Sequence, residues 1–270
     1  MPDPAATDPT PYYQLTPSAV IDAVESTGRL SDSRILALNS YENRVYQVGI
    51  EDQSPVIAKF YRPGRWSDEQ IIEDHQFSQE LLDNEIPVVA PLKSEDGQTL
   101  FVDGPFRFCL YPRVGGHAPG LDNLDTIYRL GQFMGRIHAV GKTKSFQHRV
   151  KFSIEHMIGK NAELIAKDFM PAELLPAYSS LIDDILPKLQ EIWSTLDAGN
   201  YIRLHGDCHG GNILWRDDSP TFVDFDDAMS GPAIQDLWMF LSGDRNSQLA
   251  QLSELAEGYD MFSSFPKKQL

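Results

Sequence analysis

The sequence lacks the features that define several large classes of protein. Two cysteines in 270 residues are too few for a disulfide framework. No uninterrupted apolar run approaches the ~18 residues that a membrane-spanning helix needs, and the N-terminus has neither the basic nor the apolar segment of a secretory signal. We therefore expect a cytoplasmic protein with reduced thiols and no membrane partner.

Positive charge is also scarce. Lysine and arginine total 23 against 39 aspartate and glutamate residues, so the net charge is −16, and no basic block stands out. Such a chain repels a phosphate backbone, so nucleic acid is not an expected partner. A polyanionic small ligand would have to be neutralised locally, by a lysine and by metal ions.

Apolar residues make up 41% of the chain, which is enough for a large core. The first 11 residues carry four prolines, and we predict a disordered tail over residues 1–15. Strand patterns and one long helix fill residues 16–112, whereas helical spacing dominates residues 113–270. The predicted fold class is α+β, with an N-lobe of antiparallel sheet plus helix and a mostly helical C-lobe.

Several elements have clear boundaries in the sequence. Pro17–Ser26 is predicted as a short helix, and Ser67 and Gln70 form the capping box of a longer one. Further helices are predicted at 124–137, 174–192 and 234–241, and strands at 45–48, 56–61, 99–102, 107–111, 202–204, 213–215 and 221–223.

The most informative segment is HGDCHGGN, which starts at His205. Asp207 and Asn212 have the spacing of the protein-kinase catalytic loop, H-R-D-x-x-x-x-N, in which Asp accepts the proton of the attacking hydroxyl and Asn holds magnesium. Asp224, after an apolar run, stands where the Asp of D-F-G would stand. The joint order predicts ATP-dependent phosphoryl transfer, with Asp207 and Asp224 as catalytic residues and Asn212 and Asp224 as metal ligands.

Lys59 ends the strand pattern Val-Ile-Ala-Lys, which resembles the kinase pattern V-A-I-K. We therefore expect its ammonium to bind the α- and β-phosphates of ATP, although a lysine reaching water from a sheet edge is the ordinary alternative. The next helix carries Glu73 on the stripe of Phe77 and Leu81, where an unpaired carboxylate would be costly. A Lys59–Glu73 ion pair is predicted, with Asp74 as the competing carboxylate.

The segment Asn39–Arg44 has the position of a phosphate-covering loop but contains no glycine. Backbone amides approach a phosphate most easily where no Cβ interferes, so this loop would have to use turn-forming Asn residues and the Ser40 hydroxyl. A simple hairpin turn explains the same residues equally well.

Two later acids have open roles. Asp226 either adds a second metal contact or only accepts backbone hydrogen bonds. Asp236 either stabilises a helix N-terminus or braces the catalytic loop through backbone amides.

Two other classes of function stay open. His205, Asp207 and His209 alternate as zinc ligands can, which would suit a metal-dependent hydrolase. A structural zinc site needs four ligands and a catalytic one three, the remaining histidines have no paired spacing, and this hypothesis leaves Lys59, Asn212 and Asp224 unexplained. A non-catalytic nucleotide-binding regulator is the second alternative, because the phosphate loop lacks glycine.

Longer motifs carry a family resemblance. LHGDCHGGNILWR, FVDFDDA and GPAIQDLWM resemble the aminoglycoside phosphotransferase and choline kinase superfamily. NSYENRVYQ, KFYRP and EDHQF, which start at Asn39, Lys59 and Glu73, are similar to the bacterial stress response kinase A family. The resemblance covers about residues 16 to 260.

This resemblance implies a protein kinase-like two-lobed fold, ATP and Mg²⁺ as cofactors, and phosphorylation of serine or threonine in proteins, including autophosphorylation, during stress. It implies that Asp207 is the proton acceptor and that Asn212 and Asp224 hold magnesium. Ser40 would lie at the ATP site, and Leu110, Tyr111 and Pro112 would form the hinge that meets adenine.

The acceptor is the least determined part of the prediction. A small alcohol of the choline, homoserine or aminoglycoside type is the alternative to a protein, because the motifs do not describe the acceptor pocket. The family resemblance also implies further helices after Leu270, so we expect the C-lobe to be incomplete.

Overall fold

The structure is a computed structural model that describes residues 10–195 and 200–269. The chain divides into two compact units: unit 1 is Met1–Pro119 with Gly210–Asp226, and unit 2 is Gly120–His209 with Asp227–Leu270. The sequence placed one boundary at residue 112 and assigned Gly210–Asp226 to the second lobe. The structure differs because this segment pairs with unit 1: Val89 N–H donates to the Phe222 carbonyl at 2.9 Å.

The disordered tail predicted over residues 1–15 is wrong for residues 10–15. Residues 1–9 of it lie outside the described residues, but Thr10–Gln14 forms helix α1. Leu15 is buried in the core of unit 1, and Tyr12 packs against the same core. The Tyr12 ring lies 4.6 Å below the Arg44 guanidinium, and burial raises the pKa of Tyr12 to about 12. Thr10–Gln14 is therefore helical and not a disordered tail, and Tyr12 and Leu15 hold this segment against the core.

Unit 1 is built on a five-stranded antiparallel sheet. Its strand order is β1-β2-β3-β5-β4, so the central strand β3 has paired neighbours on both sides. Helix α2, Pro17–Glu25, begins after the N-cap Thr16 and buries Val20, Ala23 and Val24 against the core. The strands are β1 Ser31–Leu38, β2 Arg44–Ile50, β3 Val56–Phe60, β4 Phe101–Asp103 and β5 Phe106–Pro112.

Helix α3, Asp68–Asp83, starts as the sequence predicted. The Ser67 hydroxyl accepts from Gln70 N–H at 3.3 Å, and the Gln70 side chain accepts from Ser67 N–H at 2.9 Å. Ile71, Phe77 and Leu81 lie on its buried face, at the spacing of one helical stripe. This face fixes which acidic residues of the helix are taken out of water.

The second part of unit 1 is a hairpin of β7, Ile213–Arg216, and β8, Ser219–Phe222. Asp217 and Asp218 form its two-residue turn with φ values of 50° and 56°. Two positive φ angles define the type I′ turn, whose twist suits a tight hairpin. The turn fixes the register in which Ile213 faces Phe222, so Asn212 and Val223 flank the open end of the hairpin.

Unit 2 is mostly helical. Helices α4, Leu124–Gly141, and α8, Arg245–Asp260, pack against each other at positions where α4 offers Gly131 and Gly135. A Cβ at Gly258 would meet the carbonyl oxygen of Tyr128, so the helices approach backbone to backbone. The other elements are α5 Lys160–Asp168, α6 Leu175–Ser194, β6 Ile202–Leu204, β9 Met229–Gly231 and α7 Ile234–Leu237.

The α+β fold class is confirmed, and most predicted elements are present. Helix α8 was not predicted, because its buried face contains Gln251, Gly258 and Tyr259 and makes no apolar stripe. The helix predicted over 234–241 ends at Leu237 and continues as a 3₁₀ turn, Trp238–Phe240. No helix among residues 10–195 and 200–269 has the length and apolarity to cross a membrane.

Candidate active site

Lys59 lies on the central strand of unit 1 and is only 5% exposed. Its Nζ is 2.7 Å from Asp224 Oδ1 and 3.3 Å from Asp226 Oδ1. Burial disfavours the ammonium, but the charges of these two carboxylates outweigh that effect and raise the pKa of Lys59. Lys59 is therefore a fixed positive charge in the interior and not a lysine extending from a sheet edge into water.

The hairpin brings the two predicted metal ligands of unit 1 together. Val223 N–H donates to the Asn212 carbonyl at 3.0 Å, so Asn212 lies opposite the residue before Asp224. Phe225 then packs edge-on against Phe77 of α3, with ring centroids 5.9 Å apart. Asp224 itself has φ of 62°, an uncommon value for a residue with a Cβ, and its side chain is 51% exposed. The surrounding contacts thus hold a half-buried carboxylate in a strained conformation beside Asn212.

Asp226 has a different environment, since it is only 4% exposed. Besides Lys59, it receives the Asn43 amide, with Nδ2 2.9 Å from Oδ2, and the Arg65 guanidinium, with Nη1 3.2 Å from Oδ2. Both carboxylate oxygens therefore have side-chain donors. The two sequence-based alternatives were a second metal contact and backbone hydrogen bonds, and these side-chain contacts were expected from neither.

The ion pairs of Lys59 are with Asp224 and Asp226 and not with Glu73. The buried carboxylate of α3 is Asp74, which is 2% exposed, whereas Glu73 is partly exposed. The predicted Lys59–Glu73 pair is thus wrong: the sequence placed Glu73 on the stripe of Phe77, but the helix turns Asp74 inward. Glu73 as a nucleotide-binding residue stays a prediction.

The segment between β1 and β2 contains Ser40, which is exposed, and Tyr41, which is fully exposed. Asn43 at its end is buried, and its Oδ1 accepts from Arg62 N–H at 3.0 Å. The segment is therefore more than a hairpin turn, because its C-terminal end is bound to two other parts of unit 1. Ser40 as an ATP contact stays a prediction.

The predicted hinge residues belong to β5. Leu110 is fully buried opposite Ala58, and its carbonyl accepts from Leu92 N–H at 2.7 Å. Tyr111 lies opposite Ile57, and burial raises the pKa of its hydroxyl. The carbonyl of Leu110 accepts one hydrogen bond here and has a second lone pair, so this bond neither supports nor excludes an adenine contact. Both residues stay predictions as nucleotide contacts.

Asp207 lies in unit 2, in a loop whose backbone N–H groups donate to the Asp236 carboxylate. Asp236 is fully buried, and its two oxygens accept from His205 N–H and Gly206 N–H, each at 2.8 Å. Gly206 has φ of 90°, and a Cβ there would meet the carbonyl oxygen of Asp227. The Arg of the protein-kinase loop therefore has no room here, which explains the glycine.

The support of this loop continues into α4 and α8. His138 Nε2 is 3.2 Å from Asp236 Oδ2, and its Nδ1 is 3.0 Å from the Tyr259 hydroxyl. All three side chains are fully buried. Bracing of the loop by Asp236 was one of the two alternatives from the sequence, but His138 and Tyr259 were not identified as its supports, and the helix of Tyr259 carries no apolar stripe.

The side chain of Asp207 is 40% exposed, and His209 Nε2 lies 3.5 Å from its Oδ2. His205 is fully buried, and its Nδ1 accepts from Asp207 N–H at 3.4 Å. Within residues 10–195 and 200–269, no group of three or more His, Cys, Asp or Glu side chains is arranged to hold a metal ion. The zinc-hydrolase alternative thus receives no support from the geometry, while Asp207 keeps an exposed carboxylate. The two thiols, Cys109 and Cys208, are free and buried.

The oxygen ligands and the ammonium group of unit 1 suit Mg²⁺ and a nucleotide phosphate. Mg²⁺ prefers oxygen ligands and is usually bound by one or two protein groups together with substrate phosphates. Asp224 offers a half-exposed carboxylate, and Asn212 adds an amide oxygen as the neighbouring candidate ligand. The Lys59 ammonium, 2.7 Å from Asp224, supplies the positive charge that phosphates require.

Solved structures share this architecture. An amicoumacin kinase in complex with AMP-PNP, Ca²⁺ and Ami superposes with a TM-score of 0.72 at 19% identity, covering 90% of this chain and 77% of that one. A spectinomycin phosphotransferase in complex with ADP and spectinomycin gives 0.60 at 17% identity, covering 90% and 79%. At these identities the likeness establishes the fold, which is that of the kinase-like phosphotransferases.

Sequence comparison gives the family. The model of the phosphotransferase enzyme family matches residues 34–267. Stress response kinase A of Escherichia coli O157:H7 is 41% identical over 260 residues, which is 96% of this chain and 78% of the relative. Serine/threonine protein kinase RdoA of Salmonella typhimurium strain LT2 is 42% identical over 264 residues, with the same coverage. The chain therefore belongs to the phosphotransferase enzyme family, in the stress response kinase A group.

Proposed function

We propose that this protein is an ATP- and Mg²⁺-dependent protein kinase that phosphorylates serine or threonine, including residues of its own chain. The observation that carries the proposal is the buried Lys59 ammonium, 2.7 Å from the half-exposed Asp224 carboxylate. A buried cation beside an accessible carboxylate is the pair that a metal-bound triphosphate requires.

The residues of unit 1 bind and orient the nucleotide. Lys59 would hold the α- and β-phosphates, and Asn212 and Asp224 would hold Mg²⁺, whose charge would stabilise the transferred phosphoryl group. Asp226 holds Lys59 in the site before the nucleotide binds, with one of its oxygens 3.3 Å from Nζ. Ser40, in the exposed loop before Asn43, donates its hydroxyl to a phosphate oxygen.

Asp207 orients the acceptor hydroxyl and accepts its proton. Its carboxylate is accessible, and the backbone of its loop is fixed by the hydrogen bonds that Asp236 accepts from His205 and Gly206. In a loose transition state the proton leaves the hydroxyl late, so orientation contributes more than basicity. His209 Nε2 lies 3.5 Å from Oδ2 of this carboxylate, which leaves Oδ1 for the acceptor hydroxyl in this proposal.

The choice of a protein acceptor is supported by the relatives. The E. coli and Salmonella proteins are named stress response kinase A and serine/threonine protein kinase RdoA, and their identity of 41–42% extends over 96% of this chain. The match therefore extends well beyond the catalytic loop. We infer a role in the stress response from the first of these names, and we propose action in the cytoplasm from the sequence.

The test is phosphate transfer from radiolabelled ATP to the protein itself, to generic protein substrates and to a panel of small alcohols. The proposal predicts label on serine or threonine of protein, lost in Asp207→Asn. Transfer to small alcohols alone would replace the protein acceptor. Nucleotide binding without any transfer above the Asp207→Asn background would indicate a non-catalytic regulator.

A small-alcohol kinase is the second candidate. Its support is that structures of the same fold include an amicoumacin kinase and a microcompartment-associated aminopropanol kinase, with TM-scores of 0.72 and 0.70. The chemistry assigned to Lys59, Asp207, Asn212 and Asp224 is the same for both candidates. Only the acceptor panel separates them.

A further inference from the structure

Asp226 is the centre of a buried network of side chains in unit 1. Three donors meet its carboxylate: Lys59 Nζ at 3.3 Å on Oδ1, and Asn43 Nδ2 at 2.9 Å and Arg65 Nη1 at 3.2 Å on Oδ2. A buried carboxylate with this many donors is a structural anchor, since releasing one donor leaves the charge compensated by the others.

Asn43 links this anchor to the loop between β1 and β2. Its Nδ2 donates to Asp226, and its Oδ1 accepts from Arg62 N–H at 3.0 Å. An amide has one acceptor oxygen and one donor nitrogen, so only this orientation satisfies both neighbours. Asn43 is 5% exposed, and neither aspartate nor leucine of similar size could make both bonds.

Arg65 makes a second link to the same loop. Its guanidinium forms ion pairs with Asp226 and with Glu42, the residue before Asn43. Glu42 and Asn43 are thus both connected to Asp226, one through Arg65 and one directly. A guanidinium carries several donors in a rigid plane and can meet two carboxylates at once, which a lysine ammonium does less well.

These contacts give the loop an order that does not depend on glycine. Glycine-rich phosphate loops let backbone amides approach the ligand closely, but a flexible loop must be ordered when the ligand binds. Here the loop has side chains throughout, and its C-terminal end is already fixed before any nucleotide binds. The ordering that glycine loops undergo on binding is therefore partly complete in the free protein.

We propose that Asn43 and Arg65 are positioning residues that anchor the phosphate-covering loop, residues 39–43, to Asp226. The proposal rests on the proposed function, because it assigns the loop to the nucleotide phosphates. Arg65 has a further effect: when the Lys59 ammonium turns to a phosphate, Asp226 remains paired with Arg65 and Asn43. The buried carboxylate is then never left without a partner, so Lys59 is free to change partners.

The experiment compares Asn43→Ala and Arg65→Gln with Arg34→Gln. Arg34 is a matched control because it pairs with Asp32 in the same unit, but its side chain is 80% exposed. Calorimetry measures the Kd of Mg-ATP and of adenosine, which lacks phosphates. We expect the Mg-ATP Kd to rise roughly tenfold or more in both anchor variants, with little change for adenosine and none in Arg34→Gln. Arg65→Lys, which keeps the charge, should recover part of the loss.

A second readout needs no nucleotide. Hydrogen exchange at the amides of residues 39–43 should be faster in Asn43→Ala and Arg65→Gln than in the wild type, and unchanged in Arg34→Gln. Unchanged exchange in folded variants overturns the anchor, whatever the affinities are. Equal losses for Mg-ATP and adenosine overturn the positioning role. If an anchor variant does not fold, Arg65→Lys supplies the same comparison with a smaller change. Absence of Mg-ATP binding in the wild type would refute the proposed function, while the exchange rates still decide whether the loop is anchored.

Discussion

Asp236 is fully buried and holds the catalytic loop by its backbone, so its replacement tests how far Asp207 depends on that support. The two carboxylate oxygens each accept one amide, from His205 and from Gly206, at 2.8 Å. Asp236→Asn preserves the size of the side chain but replaces one oxygen by NH₂. That NH₂ group then faces a backbone N–H, donor against donor.

The magnitude follows from these contacts. A hydrogen bond to a charged acceptor contributes about 1.5–3 kcal/mol, and a buried donor left without an acceptor costs about 1–3 kcal/mol. Asp236→Asn loses one such bond and weakens the other, so we expect the free energy of unfolding to fall by about 2–4 kcal/mol. Asp236→Ala removes both acceptors and should cost more. Either loss is a large share of the ~5–15 kcal/mol that stabilises a typical protein.

The effect on transfer should exceed the effect on nucleotide binding. The loop amides fixed by Asp236 belong to the residues directly before Asp207, and a misplacement of a reacting group by about 1 Å costs roughly a hundredfold in rate. We expect kcat to fall at least tenfold in Asp236→Asn, with the Mg-ATP Kd nearly unchanged, because the nucleotide contacts assigned above lie in unit 1.

The assay combines urea unfolding with radiolabelled transfer at a temperature where the variant is folded. Asp183→Asn, an exposed acid-to-amide change on α6 of the same unit, is the control for a lost charge. An Asp236→Asn protein within about 0.5 kcal/mol of the wild type, the range of ordinary surface changes, and with unchanged kcat would refute the bracing role.

Three further predictions follow from individual residues. Asp207→Asn should leave the Mg-ATP Kd nearly unchanged while lowering transfer by roughly two to four orders of magnitude, whereas Asp224→Asn should weaken magnesium-dependent nucleotide binding as well as transfer. Calorimetry and transfer kinetics measure the two effects, and a loss of nucleotide binding in Asp207→Asn with binding kept in Asp224→Asn would contradict the assignment. Gly258→Ala should lower the midpoint of urea unfolding, because the added Cβ would meet the carbonyl oxygen of Tyr128 on α4. An unchanged midpoint would mean that α4 and α8 can move apart to admit a methyl group at no cost. Burial raises the pKa of the Cys109 thiol from 9.0 to about 12, so the stabilisation by the neutral thiol should be complete below pH 9 and decrease as the pH rises toward 12. The midpoint of urea unfolding, measured from about pH 8 to 11, should fall in the wild type and fall less in Cys109→Ala.

The catalytic segment could be predicted from sequence because its information is local. Asp207 and Asn212 are five residues apart, and Asp224 follows a strand, so spacing and one hairpin suffice to relate Asn212 to Asp224. The place of Lys59 on a strand could be predicted from its local pattern for the same reason, whereas its role toward a nucleotide stays a prediction. The capping box at Ser67 is likewise a contact between residues three apart.

Partners distant in sequence could not be predicted in this way. Asn43 and Asp226 are 183 residues apart, and nothing in the local pattern of either residue indicates the other. The choice between Glu73 and Asp74 depended on the rotation of α3 by one residue, about 100°, which a short stripe of apolar residues leaves undetermined. Helix α8 was missed because Leu255 is flanked on its contact face by Gln251 and Gly258, so no apolar stripe marks the helix.

The charges around Lys59 explain why metal and nucleotide should bind together. Glu42, Asp224 and Asp226 contribute −3, and Lys59 and Arg65 contribute +2, so this cluster carries a net charge of −1. A nucleotide polyanion meets a negative site on a protein that is itself at −16. A divalent cation at Asp224 would reverse the sign of this cluster and make the phosphates attractive partners for Lys59. We therefore expect a change at Asp224 to alter nucleotide affinity as well as turnover, and a change at Asp207, which lies outside this cluster of charges, to alter turnover alone.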